Sequence, residues 1–198
     1  WKAKTNDTVN VRQSHGGSTK QVLAVADGLD ADVITMNQAT DVEFLAGKGM
    51  VAKDWAKRFP NNASPYTSTM VLIVRKGNPR GIKDWSDVVK PGVQLVIPHP
   101  KNTGNGRYTY LAAWGYALRQ PGGNEKTAQD FVARMLKNAP LFPPGGRDAT
   151  TTFMQRKIGD VLATFESEAE LIAREFGRGD FEVVYPSQSI VEIGRAHV

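Results

Sequence analysis

The sequence predicts an α/β protein in which helices cover a largely parallel sheet. Runs typical of strands are followed repeatedly by runs with helical spacing, and this order occurs in both halves of the 198-residue chain. A long, strongly apolar run at residues 66–75 ends in the turn cluster Lys76-Gly77-Asn78-Pro79. This run predicts a strand that crosses from one lobe to another.

The first half alternates between strand and helix. Ser18 suits the N-cap of the first helix, and Gly28 is placed to end it. The predicted elements are, in order, a strand at residues 9–13, a helix at 19–27, a strand at 33–36, a helix at 41–46 and the strand at 66–75.

The second half repeats the alternation. One helix carries an apolar stripe at Ala128, Phe131, Val132, Met135 and Leu136, which indicates a core-facing side. The predicted elements are a short helix at residues 85–89, a strand at 93–97, helices at 107–118, 125–138 and 149–155, a strand at 161–165, a helix at 166–176 and a strand at 181–185.

Composition excludes several classes of function. Lysine and arginine total 25 against 20 acidic residues, a net charge of +5, but the basic residues are spread singly or in pairs. We interpret them as solvated surface and expect no nucleic-acid partner. The chain has no cysteine and its three histidines are scattered, so we expect neither a metal nor a cofactor. No apolar run has the length of a membrane span.

Three predicted strand–loop–helix turns have the composition of anion-binding sites. In the second of them, Gly104 and Gly106 permit close approach to the backbone, and Thr103 can cap the helix or donate its hydroxyl. Unpaired N–H groups in the first turn of a helix, with the helix dipole behind them, favour an anion. The three turns lie in residues 14–21, 99–106 and 143–148.

Turns that follow different strands of an open α/β sheet converge on one crevice. Backbone N–H groups and hydroxyls without a carboxylate suit a fully deprotonated tetrahedral oxyanion, because such an anion only accepts hydrogen bonds. Hydrogen phosphate also needs an acceptor. The pattern therefore favours sulfate over phosphate.

Motifs of common enzyme classes do not match this sequence. Residues 16–20 lack the second glycine of a nucleophile elbow, and residues 103–106 hold too few glycines for a dinucleotide fingerprint. Glu166, Glu168 and Glu170 lie at alternate positions of a predicted helix, so they do not share one face. We predict a solvated surface there and no catalytic residue.

Two other classes of function stay open at this point. A transferase or hydrolase could hold a phosphorylated substrate with the same turns, and it would need a base such as His15 or His99 near Ser18 and Thr103. A ligand-sensing domain of a regulator is the other alternative.

Five segments match a known family: Gln13-Ser14-His15-Gly16-Gly17-Ser18, Pro65-Tyr66-Thr67-Ser68-Thr69, Val74-Arg75-Lys76-Gly77-Asn78-Pro79, Leu111-Ala112-Ala113-Trp114-Gly115-Tyr116-Ala117-Leu118 and Gly159-Asp160-Val161-Leu162. In these segments, and in their order over residues 1–191, the chain resembles the periplasmic sulfate-binding proteins of ABC importers, in the sulfate and thiosulfate branch. The resemblance implies a two-lobed periplasmic binding protein type II fold, with mixed sheets flanked by helices, that closes over a dehydrated sulfate at a hinge.

The resemblance also implies an anion site built mainly from main-chain N–H groups, with no directly paired cation. Ser18 corresponds to a backbone donor in the first turn. Thr103 stands at the position of a serine hydroxyl, Gly104 at that of a donating glycine, and Asn105 at that of a second glycine. Gly146 occupies the position of an alanine backbone donor.

One departure from the family pattern removes a hydrogen-bond donor. Phe165 sits where the family has a tryptophan whose indole N–H donates to the ligand, and a phenyl ring has no such donor. Losing one hydrogen bond to a charged group costs about 1.5–3 kcal/mol, roughly tenfold to a hundredfold in affinity. Thiosulfate, molybdate and tungstate therefore stay open beside sulfate.

The resemblance implies a non-catalytic role in the periplasm. The protein would capture the anion as a monomer and deliver it to an ABC permease of the inner membrane, with no cofactor.

The same resemblance predicts the organisation of the chain. We expect a first lobe over residues 1–74, a second lobe over residues 75–184 and a return crossover at residues 185–191. We expect residues 192–198 to be non-native, because residues 193–198 match a translated library adaptor. The chain opens on Trp1 without a signal peptide, so we expect the family's first strand, and the helices that complete the first lobe, to lie outside it.

Overall fold

The computed structural model describes Lys4 and residues 8–197, and of residues 192–197 it describes the backbone. The helices are α1 (Ser18–Ala26), α2 (Ala39–Gly47), a 3₁₀ turn (Trp55–Lys57), α3 (Pro60–Ala63), α4 (Trp85–Val88), α5 (Gly104–Leu118), α6 (Glu125–Lys137), α7 (Gly146–Met154) and α8 (Glu166–Phe176). The strands are β1 (Ile34–Met36), β2 (Tyr66–Arg75), β3 (Leu95–Val96), β4 (Val161–Phe165), β5 (Phe181–Val184) and β6 (Val191–His197).

The described strands form one mixed sheet in the order β1-β6-β2-β4-β3, with β5 also paired to β2. The prediction of a largely parallel sheet is wrong, because only the β3–β4 pair among the described strands is parallel. Strands β3, β4 and β5 do share one direction, as their alternation with helices requires. Strand β2 runs in the opposite direction and lies between β4 and β5. Both of these strands therefore pair with β2 in the antiparallel sense.

The predicted strand at residues 9–13 does not form. Val9 and Val11 are 56% and 70% exposed, so the apolar residues of this alternating segment do not form a buried strand face. Helices α5 and α7 begin at Gly104 and Gly146, three residues earlier than predicted in each case, because their glycine-rich turns take helical geometry.

The hydrophobic residues around β2 divide between its two faces. Met70, Leu72 and Val74 pack into a cluster with α4, α5 and α6. Val71 and Ile73 pack into a second cluster with α7 and α8. All five side chains are almost completely buried, which makes β2 the central strand and fixes its register.

A third cluster lies apart from these two and is built from α1, β1, α2 and the segment up to Ala63. Strand β6 pairs with both β1 and β2 and so connects this cluster to the rest of the sheet. The lobe boundaries and the non-native character of residues 192–198 stay predictions, and the side chains of that tail lie outside the described residues. Within the part of the chain that the structure describes, no helix has both the length and the apolar character needed to cross a bilayer.

Arg75 fixes the end of β2 to the segment that leads into β4. Its guanidinium donates to the carbonyl oxygens of Phe153, Ile158 and Gly159 at 2.8–3.1 Å. The same group stacks on the Phe153 ring, 3.7 Å from the ring centroid. These contacts give three backbone carbonyl groups a charged donor and hold the start of β4 in place.

We expect Arg75→Ala to lower the free energy of unfolding by about 2–3 kcal/mol, because several carbonyls lose a charged donor together. Arg80→Ala is the matched control. Its ion pair with Asp160 spans 3.1 Å and half of the Arg80 side chain is exposed, so the loss should stay below about 1 kcal/mol. Urea denaturation measures both, and equal losses would contradict the assignment.

Candidate anion-binding site

Three helices present their N-termini toward one another. The N-caps of α1, α5 and α7 are Gly17, Thr103 and Gly145, and those of α1 and α7 have no side-chain cap bond. The first bonds after these caps join Gln21 N to Gly17 O, Arg107 N to Thr103 O and Ala149 N to Gly145 O, each at 3.0 Å. Residues between each cap and the first intrahelical donor have no carbonyl acceptor in their own helix for the backbone N–H group. These residues include Ser18 in α1, Gly104 and Asn105 in α5, and Gly146 in α7.

Gly17 brings α1 against the turns that precede the other two helices. A β-carbon at this position would lie 2.8 Å from the carbonyl oxygen of Asn102 and 3.5 Å from that of Pro144. The backbone of Gly17 is extended, with φ −61° and ψ 140°, which any residue adopts. The requirement for glycine is therefore the close approach of three chain segments.

The predicted residues of α5 and α7 also meet. The amide nitrogen of the Asn105 side chain lies 3.4 Å from where a β-carbon on Gly146 would be. The same amide donates to Thr164 Oγ1 at 3.1 Å, and Thr109 Oγ1 donates to the Asn105 carbonyl at 3.0 Å. The side chain of Asn105 thus ties α5 to β4, which leaves its backbone N–H as the group available at the helix start.

Asn37, which directly follows β1, connects Ser18 with Gly104. Ser18 Oγ donates to Asn37 Oδ1 at 2.9 Å. The Asn37 amide packs directly on the α-carbon of Gly104, where a β-carbon would overlap it. Sequence reasoning missed Asn37, although its position at the end of a strand is the signal that identified the other turns.

Thr103 acts as the cap of α5. Its hydroxyl accepts from the Gly106 N–H at 3.0 Å and donates to the His99 carbonyl at 3.0 Å. The residue is 2% exposed. Of the two roles that the sequence allowed, the structure shows capping, and the hydroxyl proton points to a backbone carbonyl.

Phe165 lies beside the start of α5. It follows Thr164, the partner of Asn105, and its half-buried ring meets the Tyr108 ring edge-to-face, with centroids 5.6 Å apart and planes at 72°. Tyr108 Oη in turn donates to the Asn37 carbonyl at 2.9 Å. At this corner of the site Phe165 offers carbon and hydrogen but no polar donor.

The arginines near the starts of α5 and α7 are paired with carboxylates. Arg107 Nη2 donates to Thr19 Oγ1 at 3.1 Å and to both oxygens of Asp41 at 3.2 Å. Burial raises the pKa of the Asp41 carboxyl, and the charge of Arg107 opposes that shift. Arg147 donates to Glu168 and to a second glutamate of α8, at 2.8 and 2.6 Å. Neither Arg107 nor Arg147 is therefore left without a carboxylate partner beside the helix starts.

Groups that could serve an enzyme are engaged elsewhere. His99 Nδ1 accepts from the Lys101 N–H at 3.2 Å, and the His15 ring contacts Gln13 at 3.3 Å. In residues 8–191, neither imidazole bonds to the hydroxyl of Ser18 or Thr103. The described residues also contain no group of three or more histidine, cysteine or acidic side chains that could hold a metal ion.

The three glutamates at the start of α8 make separate contacts. Glu166 accepts from Tyr185 Oη at 2.7 Å, and this bond raises the pKa of Tyr185. Glu168 accepts from Arg147, whereas Glu170 accepts from Arg178. The prediction of a solvated surface holds for Glu170, which is exposed, but not for Glu168, whose side chain is only 15% exposed and also accepts from Thr150.

A cleft of about 590 Å³ lies beside this site but has a different character. Its wall includes Arg107, Leu111, Leu136 and Phe142 and is mostly apolar. Gln38, His99 and Lys101 also line the cleft, but most of its surface is apolar, whereas an inorganic anion needs many donors, so the helix starts are the better candidate.

We expect Gly17→Ala to destabilise the protein by about 1–3 kcal/mol, because the added methyl group would push α1 away from the Asn102 carbonyl. Gly16→Ala is the neighbouring control. Its methyl group would meet only the mobile end of the Gln21 side chain, 2.9 Å away, and should change stability little. Urea denaturation compares the two, and equal stability of both variants would show that the close approach is not required.

Comparison with known proteins places the chain among solute-binding proteins. The family model described as bacterial extracellular solute-binding protein matches residues 1–194. The thiosulfate-binding protein of Pseudomonas aeruginosa is 62% identical over 190 residues, which cover 96% of this chain and 57% of that protein. The sulfate-binding protein of Escherichia coli K12 is 51% identical over 96% of this chain and 58% of that protein.

A solved structure agrees with these relatives. The sulfate-binding protein SubI of Mycobacterium tuberculosis superposes with a TM-score of 0.85 at 32% identity, over 93% of this chain and 63% of that one. The chain thus spans less than two thirds of each of these three proteins. The relatives confirm the resemblance to sulfate- and thiosulfate-binding proteins and the fold class, and they are named as binding proteins rather than enzymes.

Proposed function

Because the chain belongs to the family of bacterial extracellular solute-binding proteins, we propose that it is the periplasmic solute-binding component of an ABC importer for sulfate or thiosulfate. The observation that carries this proposal is the meeting of three helix N-termini with uncommitted backbone N–H groups. The names of the relatives support the choice of anion. The alternatives to test are that the protein binds molybdate or tungstate, or that it is an enzyme.

In this proposal the donors to the anion are the backbone N–H groups of Ser18, Gly104, Asn105 and Gly146. Each bond to a doubly charged anion is charge-assisted, and each helix dipole adds a partial positive charge at the same place. Because Arg107 and Arg147 are held by carboxylates, the anion is stabilised by dipoles and not by a counter-ion. Thr103 supports the site by capping α5.

The relative preference for the two anions depends on Phe165. A phenyl ring donates nothing to an oxygen of sulfate, so sulfate loses one bond at this corner. The terminal sulfur of thiosulfate is a weak acceptor and loses less there. We therefore propose that thiosulfate binds at least as tightly as sulfate.

Closure of two lobes would complete the capture. We propose lobes at residues 1–74 and 75–184, joined again by residues 185–191. The ion pair of Arg107 with Asp41 and the bond from Tyr108 to Asn37 would then cross from one lobe to the other near the site. Delivery to the membrane permease as a monomer completes the proposal.

Calorimetric titration of the full-length protein tests the function directly. In a chloride buffer we expect thiosulfate and sulfate to bind with a Kd of about 1 μM or below, which corresponds to about −8 kcal/mol. Hydrogen phosphate should give no heat, because its proton would face donors only. If molybdate binds tightly and sulfate gives no heat, molybdate is the ligand and the proposal for sulfate or thiosulfate is wrong. If only a phosphorylated metabolite binds, the result favours an enzyme.

Phe165→Trp should raise the affinity for sulfate by about tenfold to a hundredfold, because the indole N–H restores a donor to a charged group. The gain for thiosulfate should be smaller. Phe44→Trp, an exposed aromatic position on α2, serves as the control and should change neither affinity. If the sulfate affinity of Phe165→Trp equals that of the wild type, Phe165 does not lie at the anion site.

A further inference from the structure

Asn37 is placed at the junction of two helix starts. Its side-chain amide packs on Gly104 at the start of α5, and it accepts a hydrogen bond from Ser18 at the start of α1. Both of these neighbours are among the proposed anion donors. A group held between them is close enough to take part in binding.

The bond from Ser18 sets the orientation of the amide. Ser18 Oγ donates to Asn37 Oδ1 at 2.9 Å, so the acceptor end of the amide is occupied. The Nδ2 end carries two N–H groups, and within the described part of the chain it has no hydrogen-bond partner. The amide therefore has two N–H donors to offer, whereas one lone pair of its oxygen is already taken by Ser18.

The backbone of Asn37 is fixed as well. Tyr108 Oη donates to its carbonyl oxygen at 2.9 Å, and the Tyr108 ring packs against Phe165. These contacts come from α5 and β4, whereas Ser18 belongs to α1. Asn37 is thus held from both sides, which limits the rotation of its side chain and favours a preorganised donor.

We propose that Asn37 is a specificity-determining residue whose Nδ2 donates to the bound anion, with Ser18 Oγ as the positioning group that keeps a donor directed to the site. This inference rests on the proposed function and deepens it. Since Ser18 Oγ already donates to the amide oxygen, the Nδ2 donors are the part of the amide left for the anion, and a protonated anion has to compete with Ser18 for the acceptor. Fully deprotonated sulfate and thiosulfate are therefore favoured over hydrogen phosphate.

Three variants of the full-length protein test this assignment by calorimetry with thiosulfate, sulfate and hydrogen phosphate. Asn37→Ala should weaken thiosulfate and sulfate by about tenfold to a hundredfold. Asn37→Asp, which keeps the shape, should bind worse still at neutral pH because it places a carboxylate beside a dianion. Its affinity should recover toward pH of about 4, where the carboxyl protonates and donates.

Ser18→Ala should cost less, about threefold to tenfold in thiosulfate affinity, since the backbone N–H stays. It should also narrow the preference for thiosulfate over hydrogen phosphate, because the freed amide oxygen can then accept. Gln120→Ala removes an amide that bonds to Tyr116 O beyond the far end of α5, and this control should match the wild type at each pH.

The outcomes distinguish a failure of the proposed function from a failure of the role assigned to Asn37. Wild-type protein that binds neither dianion overturns the proposed function. Wild-type binding together with an unchanged affinity in Asn37→Ala overturns the role of Asn37 alone. If Asn37→Ala fails to show a cooperative unfolding transition, Asn37→Asp decides, and an affinity that does not fall at neutral pH and recover in acid counts against the proposal.

Discussion

The close approach of α1 to the turns ahead of α5 and α7 is the constraint on which the site depends. It requires a residue without a side chain at Gly17, because the Asn102 carbonyl already occupies the space of a β-carbon. The approach gathers N–H groups from three helices that are far apart in sequence. Each helix alone would offer a weak, screened attraction for an anion, whereas three that meet at one place act together in a partly buried volume.

The pairing of the charged side chains near the site is compatible with the ligand release that the proposed function requires. An arginine paired directly with the ligand would strengthen binding, whereas a protein that delivers its anion to a transporter, as we propose for this one, must also release it. Here Arg107 is committed to Asp41 and Arg147 to Glu168. The raised pKa of Asp41 reflects its burial, which the pairing with Arg107 partly offsets. Both cations therefore contribute to the positions of helices more than to the charge seen by a ligand.

Sequence reasoning succeeded where periodicity and local composition decide the structure. The bounds of β2, β4 and α8 are as predicted, because each is a continuous apolar or amphipathic run between clear stops. The direction of β2 could not be predicted, since it depends on pairing with β4, β5 and β6, which follow much later in the chain. The starts of α5 and α7 were placed late because glycine was assigned to loops. Ser18, Gly104, Asn105 and Gly146 do lie together, and their role as anion donors stays a prediction.

Asn37 follows a strand, as the other turns do, but sequence reasoning missed it because its contact with Gly104 is tertiary and no glycine-rich motif marks the position. This difference bears on specificity. Backbone N–H groups are present at a helix start whatever its sequence, so relatives that share this fold share most of their donors. A choice between sulfate and thiosulfate must therefore depend on the few side chains that reach the helix starts. In our proposal Asn37 supplies a donor and Phe165 does not, so the two residues together determine which side of the anion can carry an oxygen that needs a hydrogen bond.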